Sequence, residues 1–297
     1  MTHPDVQRLL DAMADWPDTS QLSRAEAAEL EDAYSERLTP TPPDVSVTPV
    51  DAGGVPAEWI VAPEADAGRV VLYLHGGGYI YGSIGSYRGW AARLSRLARA
   101  RVLLLDYRLA PEHPFPAAVD DSLAAYRWLL AEGVAPARLS IGGESAGGGL
   151  TVATLLALRD AGDPLPACGV CISPWSDLTL SGASMQTRAA VDPLCDRPGL
   201  EDMATKYLHG ADPRNPLASP LFGDLAGLPP LLVQVGDCEV LLDDAVQLAE
   251  RAEAAGVEVI YECYDGMTHN FPLFGDILPD GARAAERIGG FIRERAA

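Results

Sequence analysis

LSIGGESAG (residues 139–147) is the stretch that decides the fold. A short apolar run, Leu139 to Gly143, passes directly into residues with a helical pattern from 146 to 161. Between them stands Gly143-Glu144-Ser145-Ala146-Gly147, a G-x-S-x-G at a strand-to-helix junction. A serine that ends a strand must sit on a very tight turn for its hydroxyl to stand clear, and flanking glycines leave room for that backbone. The helix that follows aims its N-terminus at the serine and favours negative charge developing there. Composition alone gives about 0.14 chance matches in a chain this long, so the junction, more than the pattern, marks Ser145 as a nucleophile candidate.

Outward from this junction the same alternation continues in both directions. Upstream lie the strand-like runs VVLYLH (70–75) and RVLLLDY (101–107), with helices over 86–99 and 117–132. Downstream, ACGVCIS (167–173) is a strand, after which the alternation stops. Residues 176–228 carry prolines, glycines and only short helical patterns, so they read as an insertion. It resumes with PPLLVQVG (229–236), a helix over 241–255, VEVIYECY (257–264) and a last helix from Asp280. At the start of the core, VSVTPV (45–50) and AEWIVAP (57–63) predict an antiparallel pair. Val6, Leu9, Leu10, Met13 and Trp16 recur at helical spacing, and a polar helix is expected from Leu22 to Leu38 before TPTPPDV (39–45) breaks the pattern. Repeated β-α-β units with continuously apolar strands imply a doubly wound α/β architecture, its mostly parallel sheet covered by helices on both faces. The division is a helical segment 1–44 and a core 45–297 interrupted at about 176–228.

Composition narrows the partners. The 297 residues carry 42 acidic against 22 basic side chains, a formal charge of −20. Binding to nucleic acid or anionic lipid needs clustered Lys and Arg, and this balance argues against both. No run approaches the roughly 18 to 20 apolar residues that span a bilayer, and MTHPDVQRLLDAMADW lacks the basic-then-apolar layout of a secretory signal. Among five cysteines, Cys168 and Cys171 form a CxxC, but inside a strand they point to opposite faces, which disfavours a redox or zinc role. Reduced cysteines and a cytoplasmic location are the expectation.

A second motif, His75-Gly76-Gly77-Gly78-Tyr79, follows the strand VVLYLH; chance supplies on the order of 0.005 such HGGG runs. Consecutive glycines let bare backbone N–H groups converge on one point, which suits an oxyanion hole, and His75 then braces the loop. A serine nucleophile also needs a base. Of His3, His75, His113, His209 and His269, only His269 lies in a loop (GMTHN) between the last strand and the last helix, where the order Ser, acid, His places it. The acid belongs after PPLLVQVG, where Asp237 and Glu239 compete; Asp192 follows the wrong strand.

With these residues assembled, the chain resembles the bacterial hormone-sensitive-lipase-like family (family IV) of α/β-hydrolases. HGGGY (75–79), DYRLAPEHPFPAAVDD (106–121), GESAGG (143–148), SPWSDL (173–178), GDCEVLLDD (236–244) and GMTHN (266–270) carry the resemblance, from about residue 70 to the end. YLHGADPRNPLASPLFGDLAGLPPLLVQVG (207–236) is similar to the branch of acetyl-hydrolases, small-ester hydrolases and monoterpene ε-lactone hydrolases. The family's acid opens a D-x-L-x-D-[ED] run about thirty residues before the histidine. Glu239 to Asp244 match it with Glu in place of Asp, so the resemblance prefers Glu239 and keeps Asp237 as second choice. It further implies that residues 1–44 and 176–228 form a cap, with Tyr79 and Glu144 as substrate-pocket candidates.

The implied activity is that of a serine carboxylesterase. Ser145 attacks a neutral ester, His269 takes its proton, Glu239 orients the imidazole, and the N–H groups of Gly77, Gly78 and Ala146 hold the oxyanion. No metal or cofactor is called for. Acyl chains of about two to eight carbons suit modest cap side chains. A lactonase or deacetylase with a narrow substrate is the alternative within enzymes. Outside them stands a ligand-binding protein like the plant gibberellin receptors, which have lost the histidine that this chain keeps. Family habit adds a homodimer through the edge strand 257–264.

Overall fold

Apolar runs of five or six residues, buried on both faces, leave the strands no stable place except the middle of a three-layer stack. The computed structural model describes residues 3–17, 19 and 22–297. Its strands are β1 (Ser46–Asp51), β2 (Pro56–Val61), β3 (Asp66–Leu74), β4 (Ala100–Leu105), β5 (Leu139–Glu144), β6 (Cys168–Ile172), β7 (Leu231–Gly236) and β8 (Val259–Tyr264). They form one sheet in the order β1-β2-β4-β3-β5-β6-β7-β8. The β1–β2 and β2–β4 pairs are antiparallel and the remaining neighbours parallel. This is the α/β-hydrolase fold.

Alternation along each strand splits the core in two. Val70, Leu72 and Leu74 face one way, toward α4 (Ala117–Ala131), α5 (Ala146–Ala161) and α8 (Leu242–Ala254). Val71 and Tyr73 face the other way, toward α3 (Ile84–Ala98) and α9 (Pro279–Arg295). Cys171 and Cys168 fall into these two separate clusters, as strand geometry requires. A third cluster seats Val6 and Leu9 of α1 (Pro4–Ala12) on Met267 and Phe271, which flank His269.

Several boundaries move from the sequence expectation. α1 ends at Ala12, so Met13 and Trp16 lie beyond it; Pro17 disfavours the helical conformation in the residue before it. α2 (Arg24–Leu38) begins after Leu22, where Ser23 and Glu26 form a reciprocal capping box. β3 starts at Asp66 and shifts register against β4 before Val70, because its polar opening carries no apolar pattern to read. Within 176–228 lie α6 (Ser184–Thr187) and α7 (Arg197–Leu208). No helix among the described residues is long and apolar enough to cross a membrane.

Candidate active site

β5 ends at Glu144 and α5 begins at Ala146, so Ser145 alone makes the turn, with φ 55° and ψ −121°. A β-carbon in that quadrant is strained, a cost of order 1–3 kcal/mol that the surroundings must hold. Backbone bonds do so: Ser145 N–H donates to Ile172 O (2.9 Å), and Ser145 O accepts from Trp175 N (2.9 Å) and Gly149 N (3.1 Å). Gly147 is dictated by crowding, since a side chain there would overlap the Leu74 and His75 carbonyls.

The HGGG loop leaves β3 beside this turn. His75 is buried, lies 4.3 Å from the Tyr107 ring in a stack, and donates from Nδ1 to Gly76 O at 2.8 Å. Burial pushes its pKa down to about 4, which keeps it neutral and structural. Gly77 O accepts from Ile80 N (3.0 Å) and Tyr81 N (2.8 Å), closing the turn. The N–H groups of Gly77, Gly78 and Ala146 donate to no protein acceptor among the described residues. Of these unspent donors Ala146 opens α5 and the other two lie in the HGGG loop, and all three suit an anion.

His269 and Glu239 meet. Nδ1 lies 2.8 Å from Glu239 Oε2, while Glu239 Oε1 accepts from Ser173 Oγ (2.7 Å) and Gly236 N (2.5 Å). Both members of the pair are buried. Asp237 turns elsewhere, accepting from Gly266 N at 2.7 Å. Burial alone would lower the His269 pKa; the adjacent Cys195 sulfur and the Glu239 carboxylate more than offset it, and the value stands well above the ordinary one. Ser145, His269, Gly77 and Gly78 line one cavity of about 640 Å³. No hydrogen bond joins Ser145 Oγ to His269 among the described residues; such contacts commonly tighten only around bound substrate.

Two expected pocket residues are not in the cavity wall. Tyr79 is buried against Tyr207, ring centroids 3.8 Å apart, because its positive φ turns it under α7. Glu144 is buried, directed at Gly76 N and the Tyr73 hydroxyl. The wall is made instead by Trp16 and Leu38 from the N-terminal segment and by Cys195, Leu200 and Met203 from the insertion. Sequence reasoning missed Ser173, which bridges Glu239 and the Asn270 backbone N–H (3.1 Å). It also missed Asp192 as a brace: its carboxylate accepts from Val240 N at 2.8 Å and from Leu194 and Cys195 N. SPWSDL held the only available signal for Ser173.

Comparison with known proteins agrees with this geometry. Residues 71–273 match a family described as having the alpha/beta hydrolase fold. An acetyl-hydrolase of Streptomyces hygroscopicus is 53% identical over 244 residues, covering 82% of this chain and 81% of that protein. An ethyl acetate hydrolase of Pseudomonas putida is 36% identical, covering 80% and 77%. A crystal structure of an esterase from the bacterial hormone-sensitive lipase family superposes with a TM-score of 0.94 at 47% identity, covering both chains fully.

Proposed function

Because this chain belongs to the hormone-sensitive-lipase-like esterases of the α/β-hydrolase family and is a carboxylic ester hydrolase, we propose that Ser145, His269 and Glu239 are its catalytic triad. The observation that carries this is the 2.8 Å His269–Glu239 contact at the wall of the cavity that also holds Ser145. Glu239 fixes the proton on Nδ1, which leaves Nε2 free to take the Ser145 proton as the hydroxyl attacks the ester carbonyl. The free N–H groups of Gly77, Gly78 and Ala146 receive the oxyanion, about 3–4 kcal/mol per donor in comparable sites. The imidazolium then protonates the leaving alcohol, and water, deprotonated in turn by His269, releases the acid and restores Ser145.

The N-terminal segment and residues 176–228 act as the cap in this proposal, and their side chains set specificity. Among the described residues the cavity wall contains no Lys or Arg and includes Glu31 and Asp196, a poor match for anionic substrates. Neutral esters with acyl chains of about two to eight carbons fit a cavity of this size. The Streptomyces relative favours removal of acetyl groups as a second reading. β8, half-buried at the sheet edge, is the surface proposed for a homodimer, and the five free cysteines favour a reducing, cytoplasmic compartment.

The test is Ser145→Ala assayed on p-nitrophenyl acetate, butyrate and longer esters. Loss of hydrolysis by at least about 10³-fold is expected, and undiminished turnover overturns the assignment. Maximal wild-type activity on long-chain emulsions overturns the chain-length proposal, and a monomeric mass by light scattering overturns the dimer.

A further inference from the structure

The residue before the nucleophile is a buried carboxylate with no role in the mechanism above. Glu144 Oε1 accepts from Gly76 N–H and Oε2 from the Tyr73 hydroxyl, with Tyr87 also against it. The packing is close on the loop side: a β-carbon at Gly76 would stand 2.7 Å from Glu144 Oε1 and 3.2 Å from Ser145 Cβ. Gly76 thus has to be glycine because this carboxylate lies on it. Carbonyls of the HGGG turn are held at His75 O by the Tyr107 hydroxyl, at Gly76 O by His75 Nδ1 and at Gly77 O by Ile80 and Tyr81 N–H, while Glu144 takes the Gly76 N–H. The free N–H groups of Gly77 and Gly78 belong to the peptides that immediately follow the Gly76 N–H.

We propose that Glu144 is a positioning residue that holds the Gly77 and Gly78 N–H groups in register with Ser145. Nucleophile and anchor are consecutive residues, so a single turn fixes both the attacking oxygen and the donors that receive the oxyanion. Electrostatic stabilisation of this kind depends on donors already aimed when the charge appears, and a loop free to rotate forfeits it. The proposal rests on Ser145 being the nucleophile and deepens that assignment.

Titration offers a signature. Burial raises the Glu144 pKa to about 7, although the Tyr73 and Gly76 hydrogen bonds pull the other way. The titratable groups facing this cluster are Tyr73 from β3, His75 after it, Tyr87 from α3 and Tyr107 after β4, with Glu31 acting on Tyr87. Burial raises the three tyrosines well above their ordinary range and lowers His75 to about 4. Glu144 is therefore the group in contact with the loop that changes charge near neutrality. The ionised carboxylate can accept from all its donors, whereas the protonated one must surrender an acceptor site.

The experiment compares Glu144→Ala, Glu144→Gln and Ser145→Ala with the wild type on p-nitrophenyl butyrate. Glu144→Ala should lower kcat by about 10²-fold with KM within about threefold, the mark of an interaction made only in the transition state. Glu144→Gln keeps an acceptor for Gly76 and should stay within about tenfold of wild-type kcat. It should also remove from the acid side of the kcat/KM profile the step of up to about tenfold that protonation of Glu144 causes, leaving the His269 ionisation alone. Wild-type kcat in a folded Glu144→Ala, or an acid limb unchanged in Glu144→Gln, overturns the proposal. If circular dichroism shows Glu144→Ala unfolded, the Glu144→Gln profile decides alone. Full activity of Ser145→Ala instead overturns the nucleophile and the inference with it; an inactive Ser145→Ala leaves the Glu144 results to judge Glu144 only.

Discussion

Replacing Glu239 with glutamine changes one atom and should reverse a proton. In the wild type, Glu239 Oε1 accepts from Ser173 Oγ at 2.7 Å and Gly236 N at 2.5 Å, and Oε2 faces His269 Nδ1 at 2.8 Å. A glutamine has one acceptor and one donor end. The Gly236 N–H is a fixed donor, so the amide oxygen takes the Oε1 position and the NH₂ group is turned toward His269. Nδ1 then has to accept, the ring proton moves to Nε2, and the nitrogen required to deprotonate Ser145 is blocked. In a serine protease triad the equivalent change lowers kcat about 10⁴-fold, roughly 5.5 kcal/mol of transition-state stabilisation. The hydrogen-bond count is nearly preserved, so thermal unfolding should move only by a few degrees. The assay is kcat and KM on p-nitrophenyl butyrate for Glu239→Gln beside Asp237→Asn. The latter keeps an oxygen for Gly266 N and should remain within about threefold of wild type. Retention of more than about a tenth of kcat in Glu239→Gln, or a collapse in Asp237→Asn, would show that the acid is misassigned.

Three further outcomes are expected. Ser173→Ala removes a hydrogen bond to a buried carboxylate and the acceptor of Asn270 N, so kcat should fall roughly 10- to 100-fold at similar KM; an unchanged kcat refutes the bridge. Gly147→Ala forces overlap with the Leu74 and His75 carbonyls and should cost about 3 kcal/mol or more in urea unfolding, a loss under about 1 kcal/mol being incompatible with that crowding. The raised His269 pKa means that kcat/KM should climb through an alkaline ionisation as the imidazole loses its proton, and a plateau already reached near pH 6 contradicts it. Stability runs opposite: the contribution of that ring is complete below the unfolded value of about 6.5 and is lost as pH rises through the folded one.

Much of the molecule was legible because its constraints are local. Ser145 is readable from flanking glycines and the switch from strand to helix, and His75 to Gly78 from a loop composition that few other tasks require. His269 is legible as the loop histidine between β8 and α9. The misreadings share a different cause. Glu144 neighbours the proposed nucleophile in sequence, but one step along a strand end turns a side chain to the opposite side, into the Tyr73 layer. Tyr79 depends on Tyr207, which arrives from the insertion 128 positions later and has no local trace at HGGGY. Ser173 reaches Glu239 because β6 lies beside β7: its N–H meets Gln234 O and its hydroxyl donates to Glu239. The alternation of elements predicts such neighbours in kind, not residue by residue. Spacing places Trp16 in a helix, whereas it lies outside α1 and forms cavity wall.

The order of the strands across the sheet has a consequence for how the protein is made. Ser145 and the HGGG turn hang from β5 and β3, adjacent strands completed in the first half of the chain, whereas Glu239 and His269 follow β7 and β8 at the far edge. The serine turn and the HGGG loop are therefore translated well before the proposed acid and base. A chain ending before β7 would therefore carry the serine turn without the proposed acid or base. With the proposed triad, ester cleavage depends on the sheet's β7–β8 margin being in place.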